Sequence, residues 1–180
     1  MRPARTAVQQ RPGLPDLQAN PQNGFMAVTD VFLAGPEQAS TVGRLLYDFN
    51  NEFETPGPTA EQFAARFRSL LVRDNVLVLL SGTAEAPTGF AFLTLRPTPY
   101  YDGTLAQLEE LYVQPDLRDQ GIGTDLLKTA LLRVRERGAA EMHINVDEVD
   151  TDTRRFYERH GFTNIQPGKD YRMLCYLREL

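Results

Sequence analysis

Apolar and polar residues along the chain change period several times, and each change marks an element. Ala27 to Ala34 alternates with a period of two and predicts a strand. From Pro36 to Phe53 the apolar residues fall at helical spacing. After the Thr55-Pro56-Gly57-Pro58 break, Thr59 caps a second helix reaching about Arg73. Val76 to Ser81 and Gly89 to Leu95 read as strands, and the turn-rich Gly82 to Thr88 between them predicts a hairpin. A strand from Leu105 to Val113 is followed by a glycine loop and an amphipathic run from Thr124 to Arg137, which Gly138 ends. Met142 to Val146 is a short strand and Thr151 to His160 a helix stopped by Gly161. Phe162 to Ile165 and Tyr171 to Leu177 alternate again and are expected to close the sheet.

Composition fits one domain of that size. The chain has 180 residues, 42% hydrophobic and 24% charged, enough for a real core. Residues 1–24, rich in Arg, Pro and Gln, read as a flexible tail, and residues 25–180 as a single domain with no internal repeat. The tail lacks the apolar segment of a secretion signal, and no apolar stretch is long enough to span a bilayer, so a cytoplasmic protein without membrane contact is expected. A net charge of −5 argues against nucleic acid as the main partner. The single cysteine rules out an internal disulfide, and with only two histidines no Cys/His metal cluster is expected. Cys175 lies in an alternating apolar segment and reads as a buried small hydrophobe. Whether the chain forms a homodimer stays open at this point.

The most informative stretch runs from Glu110 to Gly123. An apolar strand feeds a turn containing Gly121 and Gly123, and the turn becomes the start of a helix. Unpaired N–H groups and the positive end of the helix dipole then converge on one spot, which suits a phosphate. A nucleotide P-loop would need Lys-Ser/Thr after the last glycine, where Thr124-Asp125 stands. A dinucleotide fingerprint would need a third small residue where Leu126 stands.

Arg118-x-x-Gly121-x-Gly123 resembles the loop on which the GNAT family of N-acetyltransferases binds the pyrophosphate of acetyl-coenzyme A. Downstream, Asp150 to Phe162, with Phe156-Tyr157-x-x-x-Gly161-Phe162, resembles that family's Asn-x-x-Ala-x-x-Phe-Tyr-x-x-x-Gly-Phe helix. The resemblance covers roughly Ala27 to Leu177, with sharp motifs between Leu108 and Phe162. It implies the GNAT α/β fold, a central mixed, mostly antiparallel sheet of six to seven strands flanked by about four helices. It also implies acetyl-CoA as co-substrate. Arg118, Asp119, Gln120, Gly121, Ile122, Gly123 and Thr124 would hold the pyrophosphate. The fourth-strand end at Leu111, Tyr112 and Val113 would hold the pantetheine arm, through the Leu111 and Val113 backbone.

Acetyl transfer needs a base for the amine and an acid for the leaving thiolate. Tyr157 matches the position of the family's acid on the downstream helix, while Phe156 reads as core. Gln107, Glu109 and Leu111 share one face of an ideal strand, so Glu109 is the candidate base, directly or through water, and Glu110 faces away. The sequence departs from the family at Asp150, which stands where an asparagine usually reaches the pantetheine and can accept but not donate. Asp119 stands where a glycine or a basic residue is frequent.

Acidic residues hint at the acceptor. Asp147, Glu148, Asp150 and Asp152 crowd the end of the fifth strand, and Asp48, Glu52 and Glu54 the end of the first helix. Carboxylates there would attract a cationic amine, which marks Glu52, Asp147 and Glu148 as candidate acceptor contacts; ordinary solvated loops are the alternative. Asn51 to Glu54 and Asp147 to Asp152 weakly resemble aminoglycoside 3-N-acetyltransferases. The expectation is therefore N-acetylation of a small, cationic amine resembling an aminoglycoside or polyamine. A peptide or protein amine, or a module that binds acyl-CoA without turnover, are the alternatives.

Overall fold

In the computed structural model, which describes residues 30–178, five strands alternate with four helices in the order the periodicity predicts. The strands are β1 (Val31–Leu33), β2 (Val76–Gly82), β3 (Pro87–Pro97), β4 (Thr104–Val113) and β5 (Ala139–Ile144). The helices are α1 (Ala39–Glu52), α2 (Ala60–Leu70), α3 (Ile122–Glu136) and α4 (Thr151–Arg159). Spatial order follows chain order, β1-β2-β3-β4-β5, with antiparallel pairing except between β4 and β5, which run parallel. The tail expected over residues 1–24 and the first residues of the predicted opening strand lie outside the described residues.

Strand alternation divides the core in two. Leu77, Leu79, Ala91, Leu93 and Leu95 meet Ile122, Leu126, Leu127, Ala130 and Val134 of α3 on one face. Val76, Val78, Leu80 and Phe90 meet Val42, Leu45, Phe63 and Phe67 of α1 and α2 on the other. Because β2 and β3 are covered on both faces, β2 reads as an unbroken apolar run. A side chain at Gly43 would come within 2.5 Å of the Ala64 nitrogen, so glycine there lets α1 and α2 cross closely. Thr59 caps α2 as expected: its hydroxyl accepts from the Gln62 N–H at 3.3 Å, and the Gln62 side chain accepts from the Thr59 N–H at 2.9 Å. Leu126 is fully buried where α3 rests on the sheet, and truncating it to Ala would cost about 2–5 kcal/mol and loosen the loop that α3 begins.

Two expectations are corrected. Among the described residues the sheet has five strands, not six or seven, because Phe162 to Ile165 and Tyr171 to Leu177 make only one antiparallel bridge, Ile165 with Arg172, supported by the Met173 N–H donating to Asn164 O at 2.7 Å. A two-stranded hairpin needs an apolar face to rest on, and here Tyr171, Leu174, Tyr176 and Leu177 stay exposed. For the same reason Cys175 is exposed rather than buried. Among the described residues no helix is long and apolar enough to cross a membrane.

Candidate active site

Two features of β4 create the site. Its ladder with β5 covers only Thr104 to Leu108, so from Glu109 to Val113 no strand among the described residues lies on that side and the sheet opens. Its register with β3 also slips: Phe92 stands opposite Glu110 and Leu93 opposite Leu108, which leaves Glu109 as the extra residue of a β-bulge. The bulge breaks the two-residue period on which the shared face of Gln107, Glu109 and Leu111 rested. Leu111 packs with the α3 cluster, whereas the Glu109 carboxylate accepts from the Thr94 hydroxyl at 2.5 Å, on the opposite face. Glu110 does not face away from that side: its register partner Phe92 packs with the α1 and α2 cluster.

Glu110 is a candidate that a regular strand does not suggest. It is partly buried, and burial, then the neighbouring Glu109 carboxylate, pushes its pKa up from 4.5 to about 7. The sequence signal for it is a pair of adjacent glutamates in the middle of a predicted apolar strand. Tyr157 of α4 is 6% exposed, its ring packed against Phe156 and Phe162. Its hydroxyl pKa is raised, first by burial and then by the Glu110 and Asp150 carboxylates, so it stays protonated. Tyr157, Glu110 and Asp150 thus form one electrostatic neighbourhood. Asp150 is the N-cap of α4, its carboxylate accepting from the Thr153 N–H at 3.1 Å, a contact worth about 1 kcal/mol.

The glycine loop has the geometry of an anion cradle. Gly121 caps α3 in the left-handed conformation, φ 88°, and no side chain caps this helix. Asp125 makes the first helical bond, to Gly121 O at 3.0 Å, so the N–H groups of Ile122, Gly123 and Thr124 precede the ladder. The nearest atoms to a Cβ on Gly123 would be the Phe156 ring and Val113 Cγ2, at 3.7 and 3.8 Å, ordinary contacts, so protein packing does not require glycine there. The space it leaves fits a phosphate approaching the backbone. Asp119 is also left-handed, φ 59°, a conformation Asp tolerates better than most residues and one that glycine would adopt freely. Ile122 is buried in the core, so only its backbone can serve the cradle. The Gln120 amide donates to Asp116 O at 3.4 Å within the loop. Tyr112 is buried against Phe49 and Phe90.

Arg118 reaches two places. Its Nε donates to Val113 O at 3.0 Å, and its two terminal nitrogens donate to the Glu52 carboxylate at 2.6 Å each. Asp147 and Glu148 sit on the exposed turn between β5 and α4, where Glu148 pairs with Arg172. Among the described residues no hydrogen bond or ion pair joins them to Glu52. An open groove of about 670 Å³ between α1 and the Glu85–Thr88 turn touches Gln114 and Leu117 but neither Tyr157 nor Glu110.

This arrangement has relatives. Residues 42–162 match the acetyltransferase (GNAT) family, and the chain belongs to that family. Over 99 residues, 54% of this chain and 64% of the relative, it is 33% identical to an aminoglycoside N(6')-acetyltransferase type 1 of Klebsiella aerogenes. The stretches shared with three curated relatives span 64%, 24% and 30% of their lengths. A crystal structure from Arthrobacter sp. FB24, named for a proposed acetyltransferase, superposes with a TM-score of 0.80 and 46% identity, covering 88% of this chain and all of that one. An aminoglycoside acetyltransferase from an uncultured soil metagenomic sample, in complex with sisomicin, shares the fold at a TM-score of 0.69. It is 19% identical, over 84% of this chain and 95% of that one.

Proposed function

We propose that this protein transfers the acetyl group of acetyl-CoA to a primary amine of a small cationic acceptor, of the aminoglycoside or polyamine kind, by direct transfer. The observation that carries the reading is the uncapped start of α3 beside an opening in the sheet, with the Glu110 carboxylate close enough to Tyr157 to help raise its hydroxyl pKa. The family generally uses acetyl-CoA. The N–H groups of Ile122, Gly123 and Thr124 suit its pyrophosphate, and the β4 edge at Leu111 to Val113, which β5 does not pair, suits its pantetheine amides.

An amine that arrives as an ammonium must lose a proton before it attacks the thioester carbon. Glu110, with its pKa near 7, is ionised often enough near neutral pH to accept that proton and basic enough to hold it. Glu109 engages Thr94 and is better placed to raise Glu110 than to act alone. As the C–N bond forms and the C–S bond breaks, Tyr157, kept protonated by burial, can donate its proton to the departing sulfur. The likeness to the aminoglycoside enzyme supports the acceptor class. A thiol-release assay over aminoglycosides, polyamines and N-terminal peptides tests it: turnover should concentrate on the polycationic amines, and turnover confined to peptides would overturn the acceptor assignment.

A further inference from the structure

Arg118 and Glu52 read from sequence as belonging to different ligands, one to the pyrophosphate and one to the amine. The fold pairs them with each other across 66 residues of sequence, with both oxygens of the Glu52 carboxylate on the terminal nitrogens of the guanidinium at 2.6 Å. Glu52 is the last residue of α1, and Arg118 directly follows the 3-10 turn Pro115–Leu117 that leads into the glycine loop. The guanidinium also lies 5.8 Å from the Tyr112 ring centroid, and its Nε is fixed to the β4 end at Val113 O. The arginine is therefore anchored at its stem, while its fork holds a carboxylate in the bidentate geometry that equally suits two phosphate oxygens. The side chains are 40% and 25% accessible, so the pair can be reached from solvent.

The geometry points to an exchange: Glu52 occupies Arg118 in the free protein as a stand-in for the pyrophosphate, and the cofactor's phosphates displace it. The freed carboxylate then becomes a binding site for an ammonium group of the acceptor. No covalent bond changes; Arg118 trades one anion for another, and the negative charge left on Glu52 finds a cation. This rests on the proposed function, and it adds a direction. The cofactor and acceptor sites share one ion pair, so each ligand should strengthen the other, and by linkage the two effects must be equal. Neutralising Glu52 removes a competitor from the cofactor site, whereas a clamp that merely oriented Arg118 would give the opposite sign.

Calorimetry with coenzyme A and with sisomicin tests this without turnover. For Glu52→Gln, coenzyme A should bind several-fold more tightly than to the wild type. For Arg118→Gln it should bind about tenfold more weakly, and the double variant should match Arg118→Gln alone. Sisomicin should bind wild type about tenfold more tightly with coenzyme A present, a coupling of ordinary size. Arg118→Gln should bind sisomicin at the tighter level without cofactor, and Glu52→Gln should show no enhancement. Weaker or unchanged coenzyme A binding by Glu52→Gln overturns the exchange alone, while a wild type that does not bind coenzyme A overturns both the exchange and the reading of the loop. Failure of Arg118→Gln to gain affinity for sisomicin overturns Glu52 as the ammonium site. Circular dichroism of each variant separates these outcomes from loss of fold.

Discussion

Thr94 donates its hydroxyl hydrogen to Glu109 at 2.5 Å across the β3–β4 bulge, whereas among the described residues no hydrogen bond engages the adjacent Glu110 carboxylate. Glu109 is exposed and engaged; Glu110 is partly buried and titrates near 7. Glu110→Gln should lower turnover by about 10²-fold, the size of losing a general base, whereas Glu109→Gln should cost far less. The wild-type rate should rise as pH passes through about 7 and Glu110 loses its proton, and Glu110→Gln should lack that limb. Steady-state rates from pH 5.5 to 8.5 measure it. A limb that survives Glu110→Gln unchanged would return the role of base to another group.

The same carboxyl should appear in stability. Its folded pKa lies above its ordinary 4.5, at about 7, so between those values the folded protein holds a proton that the unfolded chain has released. Stability from this group is present in full below about 4.5 and is lost as pH rises through about 7. Glu110→Gln should therefore flatten the pH dependence of the urea midpoint over that window and be more stable than wild type at pH 8.

Much of the fold was legible because its signals are local. The glycines at 121, 138 and 161 sit at helix ends, and Thr59 with Gln62 forms a capping box visible in four letters. Where the outcome depended on non-local pairing, the sequence misled. A bulge inserts one residue without altering composition, so Glu109 and Glu110 come to share the face opposite Leu111 instead of alternating as in an ideal strand. The alternation of Tyr171 to Leu177 is that of a strand, yet strand formation needs a neighbour to pair with and a face to bury, and the described residues supply only the Ile165–Arg172 bridge. The Arg118–Glu52 pair was equally hidden, since nothing local relates residues so far apart.

Gly123 offers a clean test of the cradle. Its Cβ position has ordinary van der Waals contacts at 3.7 Å and beyond, and alanine is the better helix former by about 0.8–1.0 kcal/mol. Gly123→Ala should then keep or slightly raise the melting temperature while weakening acetyl-CoA binding, and Gly123→Glu should abolish binding by filling the space and adding charge. Gly121 is less informative, because any replacement is strained at φ 88°. Undiminished affinity of Gly123→Glu in calorimetry would remove the loop from the cofactor site.

Tyr157→Phe removes one oxygen from a ring that packs among Phe156 and Phe162. Among the described residues no hydrogen bond engages that hydroxyl, so the fold should tolerate the change. Turnover should fall by about 10²-fold with acetyl-CoA affinity little altered. A large fall in melting temperature with normal turnover per folded molecule would instead make Tyr157 a core residue alone.

The turn at Asp147 and Glu148 tests whether acceptor charge is read there as well as at Glu52. Both residues are exposed, and Glu148 shares its charge with Arg172, so each should contribute modestly and be screened by salt. Asp147→Asn with Glu148→Gln should raise KM several-fold for a polyamine or aminoglycoside at low ionic strength, with the difference shrinking as salt is added. A monoamine with a neutral tail should respond little, because it has no second cation to lose. Equal responses from both acceptors, or none from either, would assign this turn to solvent and leave Glu52 as the acidic residue proposed to meet the amine.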